Sequence, residues 1–208
     1  IALDDLSTGN SKNLDGLKAN PNFKLVTGSI LDEPLVKSLI EEVDGVMHFA
    51  AAVGVEKILN DPIGSLRTNL IGSEIVLTNA AKLNKPTILT STSEIYGKNT
   101  EVPLTEESDR VLGSPLKSRW SYSEAKAIDE TIARSLHEKN NWNVKIVRLF
   151  NTVGPRQSSA YGMVIPRFVE AAKNNKPLIV HGDGTQRRVF CHIEDAIEGI
   201  LKLWDSKG

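Results

Sequence analysis

Residues 43–92 read VDGVMHFAAAVGVEKILNDPIGSLRTNLIGSEIVLTNAAKLNKPTILTST. The opening run, Val43 to Ala52, is apolar and ends in small residues. This reads as a buried strand running into a tight turn. Asp61-Pro62 opens a helix predicted to reach about Leu83; Asp is a good N-cap and Pro a good first helical residue. Pro86 ends the connection, and Thr87 to Thr92 form the next strand. Strand, helix and strand in this order predict an α/β fold with a parallel sheet.

The alternation continues outward. A polar loop spans Gly97 to about Lys117, and a helix follows from Ser121 to about Lys139. Ala125, Ile128, Ile132 and Leu136 fall close to one face of that helix. Val144 to Phe150 reads as a strand, Met163 to Lys173 as a helix, Leu178 to Val180 as a short strand and Ile193 to Trp204 as a final helix. Ile1 to Asp5 reads as the tail of a strand cut in the middle, so the chain is expected to be part of a longer protein. From about Gly154 the alternation loosens. The expected division is residues 1–153 and a smaller substrate-facing region, 154–208.

The composition narrows the function classes. The chain has 208 residues, 40% of them hydrophobic, with 25 Lys+Arg against 26 Asp+Glu. There is enough apolar material to bury a core, which argues against disorder. No basic excess exists to drive nucleic-acid binding. A single cysteine, Cys191, excludes an internal disulfide framework and a cysteine zinc site. The expected compartment is the reducing cytoplasm. No run of apolar residues is long enough to predict a membrane span.

Tyr122-Ser-Glu-Ala-Lys126 is the strongest chemical signal. Residues four apart share one helix face. A lysine ammonium there favours the phenolate, lowering the tyrosine from its free value of about 10. Such a tyrosine can serve as a general base. The strand at residues 87–92 ends in a hydroxyl cluster, Ser91, Thr92 and Ser93. Loops at the carboxyl ends of parallel strands hold ligands. A hydroxyl there could bond the same substrate oxygen as Tyr122, or could simply satisfy backbone groups. His48, alone in an apolar strand, reads as a core residue and not as a metal ligand; no metal site is expected. Trp120 and Trp142 read as packing residues, and Cys191 as buried and inert.

Several motifs stand in one order: Asp4-Asp5-Leu6-Ser7-Thr8-Gly9, His48-Phe49-Ala50-Ala51-Ala52, Thr90-Ser91-Thr92-Ser93-Glu94-Ile95-Tyr96-Gly97, Tyr122-x3-Lys126, Leu149-Phe150-Asn151-Thr152-Val153-Gly154-Pro155-Arg156 and Gly182-Asp183-Gly184-Thr185-Gln186-Arg187-Arg188. Together they resemble the extended short-chain dehydrogenase/reductases, and more narrowly the NAD-dependent nucleotide-sugar epimerase/dehydratase family. The resemblance implies a Rossmann-like doubly wound parallel sheet of order 3-2-1-4-5-6. The chain lacks that fold's first βα unit, with its glycine-rich pyrophosphate turn, and starts where the family's second strand ends. A gap between two buried strands with unpaired backbone groups is therefore expected.

The resemblance also implies site roles. Asp4 would bind the adenosine ribose hydroxyls of NAD, with Leu6, Ser7, Thr8 and Gly9 beside it. Phe49, Ala50, Ala51, Ala52 and Val53 would line the cofactor, steadied by Thr68 and Asn69. Phe150 would meet the nicotinamide, while Asn151 and Arg188 would serve the substrate diphosphate. Tyr122 would take the C4 hydroxyl proton of a nucleotide sugar while C4 gives a hydride to NAD. Lys126 would hold the nicotinamide ribose, and Thr92 would bond the C4 oxygen. A 4-keto sugar results. Ser93-Glu94 replaces the Asp–Glu pair of the 4,6-dehydratases, which disfavours dehydration. Two branches remain open, UDP-sugar 4-epimerase and UDP-glucuronate decarboxylase. Thr92-Ser93-Glu94 matches the decarboxylases, with Glu94 as acid/base. Tyr161-Gly162-Met163-Val164-Ile165-Pro166 looks more like the epimerases. A homodimer through helices 61–83 and 121–139 is implied too. The rival from another class is a non-catalytic protein of the same fold that binds nucleotide or a partner.

Overall fold

The computed structural model describes residues 1–54, 60–159 and 163–207. Its strands form parallel ladders throughout. β1 (Ala2–Asp4) pairs with β2 (Leu25–Thr27), with Ala2 opposite Leu25. After β2 comes α1 (Glu33–Glu41), started by Asp32, whose carboxylate accepts from the Leu35 N–H. β3 (Val46–His48) pairs with β4 (Thr87–Thr92), and β4 with β5 (Val144–Leu149). β4 is central in this ladder and all of it except Thr90 is buried, as its unbroken run of apolar and hydroxyl residues requires.

The helix expected from Asp61 forms in three parts. α2 (Pro62–Arg67) starts on the Asp61 carboxylate, which accepts from the Gly64 N–H at 2.9 Å. One π-helical turn (Thr68–Gly72) follows, and α3 (Ser73–Lys82) continues it. α4 (Ser121–Asn140) ends at Asn141, which takes the left-handed conformation. Ile30, Val36, Ile40, Leu77, Ala80, Leu89, Ala133 and Trp142 pack into the main core. Trp142 is fully buried and its indole N–H donates to the Lys85 carbonyl at 2.7 Å.

Four expectations need correction. Ile128 is exposed, and the buried face of α4 is Ser123, Ala125, Lys126, Ala127, Asp129 and Ala133. The small residues let α4 approach the sheet closely, so its inner face holds little bulk. Val43 to Ala52 forms only a short strand. Leu178 to Val180 forms no strand and stays exposed, pairing with no strand among the described residues. Cys191 is half-buried, not buried.

Beyond β5 come β6 (Asn151–Val153), α5 (Val164–Lys173), β7 (Phe190–His192) and α6 (Ile193–Asp205). β6 pairs with β7. Lys145 of β5 donates to the Leu203 and Trp204 carbonyls, anchoring the end of α6. Among the described residues no strand bridges β1 and β3. A hollow of about 400 Å³ lies there, lined by residues 1–4 on one side and 45–50 on the other. The strands thus form three separate parallel ladders, β1–β2, β3–β4–β5 and β6–β7, and the gap between β1 and β3 falls where a doubly wound sheet would place its first strand. No helix among the described residues is long and apolar enough to cross a membrane.

Candidate active site

The carboxyl end of β4 builds one wall. Thr92 caps a 3-10 turn over Ser93–Tyr96, its hydroxyl oxygen accepting from the Glu94 N–H at 3.2 Å. Gly97 closes that turn at φ +64°, and a Cβ there would meet the Val111 carbonyl at 2.3 Å. Only glycine fits both constraints. The loop beyond is pinned by Arg148. Its guanidinium forks onto Glu130 at 2.7 and 3.0 Å and donates to the Tyr96 hydroxyl at 2.8 Å. Tyr96 in turn donates to the Thr105 carbonyl.

The second wall is the start of α4, set by a short turn at Ser118–Trp120. Trp120 is buried, and Gly113 lies so close that a Cβ would meet the indole nitrogen at 2.2 Å. This lock aims the face bearing Tyr122 and Lys126 at the end of β4. The two walls enclose a cavity of about 550 Å³. Phe49, Ala51, Val53, Thr92, Glu94, Tyr122, Lys126, Phe150 and Asn151 all line it.

The remaining candidates lie elsewhere. Asp4 and Ala50 line the hollow between β1 and β3, which Phe49 also reaches. Asp4 accepts from the Leu6 N–H at 2.7 Å, and a Cβ added at Gly9 would lie 3.8 Å from its carboxylate oxygens. Ser7 and Thr8 belong to the same turn and line neither cavity. Ala52 is buried, clamped by Asn69. The Asn69 side chain accepts from the Ala52 N–H at 2.6 Å and donates to the Ala52 carbonyl at 3.0 Å. Thr68 opens the π-helical turn that swings Asn69 inward. Arg188 is exposed, donates to the Arg187 carbonyl and does not reach the cavity. Tyr161 and Gly162 lie outside the described residues.

Sequence reasoning missed Arg119. It lines the cavity, its guanidinium 4.7 Å over the Trp120 ring and 3.8 Å from the Glu94 carboxylate. Its place three residues before Tyr122 was the available signal. Asp129 was missed as well. It was hidden because its importance depends on burial, which spacing does not reveal.

The electrostatics depart from the sequence expectation. The Tyr122 phenol is pushed up to about 12, first by burial and then by the Glu94 and Asp129 carboxylates; the Thr92 hydroxyl pulls it down. Lys126 does not offset this, because its ammonium is bound to Asp129 at 3.2 Å. Burial pulls Lys126 down while Asp129 holds it up. Asp129 is raised to about 6 by burial, with Lys126 opposing. His48 is lowered to about 3 by burial and then by the Lys126 charge. It is neutral, its Nε2 3.0 Å from the Ser73 hydroxyl.

These residues fit part of a dinucleotide site. The Asn69 clamp presents the small-residue run 50–53 as backbone wall, and Lys126 offers a buried cation beside it. A ribose hydroxyl pair could bind Asp4, whose carboxylate faces solvent.

A model of the NAD dependent epimerase/dehydratase family matches residues 1–207. The chain is 38% identical over 206 residues to a UDP-N-acetyl-alpha-D-glucosaminuronate decarboxylase of Bacillus cytotoxicus, covering 99% of this chain and 63% of that protein. It superimposes on the dTDP-glucose 4,6-dehydratase DesIV of Streptomyces venezuelae, solved with NAD bound, with a TM-score of 0.87 and 31% identity. That match covers 97% of this chain and 61% of the other. A UDP-N-acetylglucosamine 4-epimerase of Methanobrevibacter ruminantium gives a TM-score of 0.89 at 27% identity, covering 99% and 65%. The chain therefore spans less than two thirds of these relatives' length.

Proposed function

The chain belongs to the NAD-dependent epimerase/dehydratase family, and on that premise we propose that it serves the decarboxylation of a UDP-linked uronic acid through a 4-keto intermediate. The observation that carries this reading is one cavity walled by Thr92, Glu94, Tyr122 and Lys126 together. The B. cytotoxicus relative, a decarboxylase by name, supports it.

Bound NAD supplies the hydride acceptor for the sugar's C4. Tyr122 takes the proton of the C4 hydroxyl, and Thr92 orients that oxygen by a hydrogen bond. Lys126, its ammonium held by Asp129, would hold the nicotinamide ribose of the bound cofactor. With C4 a ketone, the C5 carboxylate is a β-keto acid. The bond from C5 to the carboxyl carbon breaks, CO2 leaves, and the electron pair passes into the enolate. Glu94, in its protonated form, gives a proton to C5 and is left a carboxylate. The C4 ketone would then take back its hydride from the cofactor while Tyr122 returns its proton to the C4 oxygen, giving the pentose. Arg119, beside Glu94, lies where it can offset the negative charge of the uronate carboxylate.

The 4-epimerase reading shares the first step. The likeness to the M. ruminantium epimerase favours it, but it leaves Glu94 without a task. In the proposed division, residues 1–153 hold the cofactor and 154–208 face the substrate. Ile63, Ile71 and Ile128, exposed on the helices of the proposed homodimer interface, support that assembly. The single cysteine supports the cytoplasm as its compartment.

The test is proton NMR of the complete gene product with NAD and, in turn, UDP-glucuronate, UDP-N-acetylglucosaminuronate and UDP-glucose. The expected result is a decarboxylated pentose nucleotide from a uronate, lowered about 10²- to 10⁴-fold in Tyr122→Phe. UDP-galactose from UDP-glucose, with the uronates untouched, would establish the epimerase instead. Turnover of none of them would favour the non-catalytic reading.

A further inference from the structure

We propose that Asp129 is a positioning residue whose carboxylate fixes the Lys126 ammonium at the cavity floor. The inference rests on the role given to Lys126 above. The two side chains are 0% and 2% exposed and lie 3.2 Å apart. An ammonium buried this deeply sheds its proton unless a carboxylate meets it. The other nearby carboxylates are committed elsewhere: Glu130 forks onto Arg148, and Glu94 faces Arg119. From α3 and β3 the pair meets Ser73 and the neutral His48, and from α4 itself the Tyr122 phenol. None of these three supplies a negative charge.

Stability does not account for the pair. Buried ion pairs are often no better than apolar side chains of the same volume. Besides Lys126, the Asp129 carboxylate meets the Ser73 hydroxyl, whose hydrogen bond pulls its pKa down. What Asp129 does accomplish is to hold one cation, one helical turn from Tyr122, where the site uses it.

The experiment is a lysine side-chain nitrogen NMR titration of the complete gene product, parent against Asp129→Asn, with steady-state kinetics alongside. The expected result is a Lys126 midpoint lower by about one unit or more in the variant. Turnover should fall about 10-fold or more while KM for the nucleotide sugar stays within about threefold. An unmoved Lys126 midpoint in a folded Asp129→Asn protein overturns the inference. If Asp129→Asn does not fold, Asp129→Glu decides: it keeps the charge but shifts the ammonium, so turnover should fall with the midpoint unmoved. Undiminished turnover in that variant overturns the positioning role. Absence of turnover in the parent sinks the proposed function alone, since the titration still reports on Asp129.

Discussion

Tyr122 and Lys126 stand one helical turn apart, a spacing that places both on one helix face. Their charges are arranged differently from the simple expectation. Lys126 is spent on Asp129, and Tyr122 is left under two carboxylates and a low-dielectric wall. Glu94 is the nearer lever, being the larger of the two charge contributions. Removing its charge removes one influence that disfavours the phenolate. In Glu94→Gln the Tyr122 tyrosinate absorbance transition should therefore move below its parent position near 12. Decarboxylation should fall about 10²- to 10⁴-fold while oxidation at C4 persists as trace NADH. A transition that moves up would contradict the charge argument. Asp129 was not readable because an Asp three residues after a Lys is ordinary on a solvated helix. Only burial turns it into a committed partner.

The helix after Asp61 shows how far local rules reach. Asp61 and Pro62 mark its start in the sequence, and the Asp61 carboxylate caps Gly64 as those residue types require. Asp61→Ala should cost about 1 kcal/mol of stability, within a range of about 0.5–2 kcal/mol. Urea unfolding would check this, with an unchanged midpoint as the contrary result. The π-helical turn at Thr68–Gly72 had no local signal. It follows from the need to turn Asn69 inward onto both polar groups of the Ala52 backbone, and such turns often occur at functional sites. On α4 the apolar periodicity held for Ala125, Ile132 and Leu136 and failed at Ile128. Ile128 faces outward while Ala125, Ala133 and the ionic pair face inward.

Stability against pH belongs to the whole molecule, because it sums groups buried by different elements. His48 has its folded value lowered from 6.5 to about 3. Its contribution is therefore present above about 6.5 and lost as the pH falls toward 3. Asp129 acts in the opposite sense, since its folded value is raised from 3.8 to about 6. Its contribution is present below 3.8 and lost as the pH rises through 6. His48 alone therefore operates just above pH 6. The melting temperature should fall on acidification from about pH 6.5, and His48→Gln should flatten that fall, as calorimetry at stepped pH would show. An equally steep fall in the variant would move the cause away from His48. The interruption between β1 and β3 is also a property of the whole. Each strand looks complete locally, and the hollow exists only because the separate β1–β2 and β3–β4–β5 ladders face one another across it.

Sequence by itself settled the α/β class, the parallel sense of the strands and most helix starts, and it pointed to the gap in the sheet and to Thr92, Tyr122 and Lys126, which share one cavity. Those features rest on periodicity, caps and motif order, which are local or linear. Tertiary structure alone decided which face of α4 is buried, that Arg119 enters the cavity and Arg188 does not, and that Lys126 is bound to Asp129. These outcomes depend on burial and on distances between residues far apart in the chain. A one-dimensional pattern holds neither quantity.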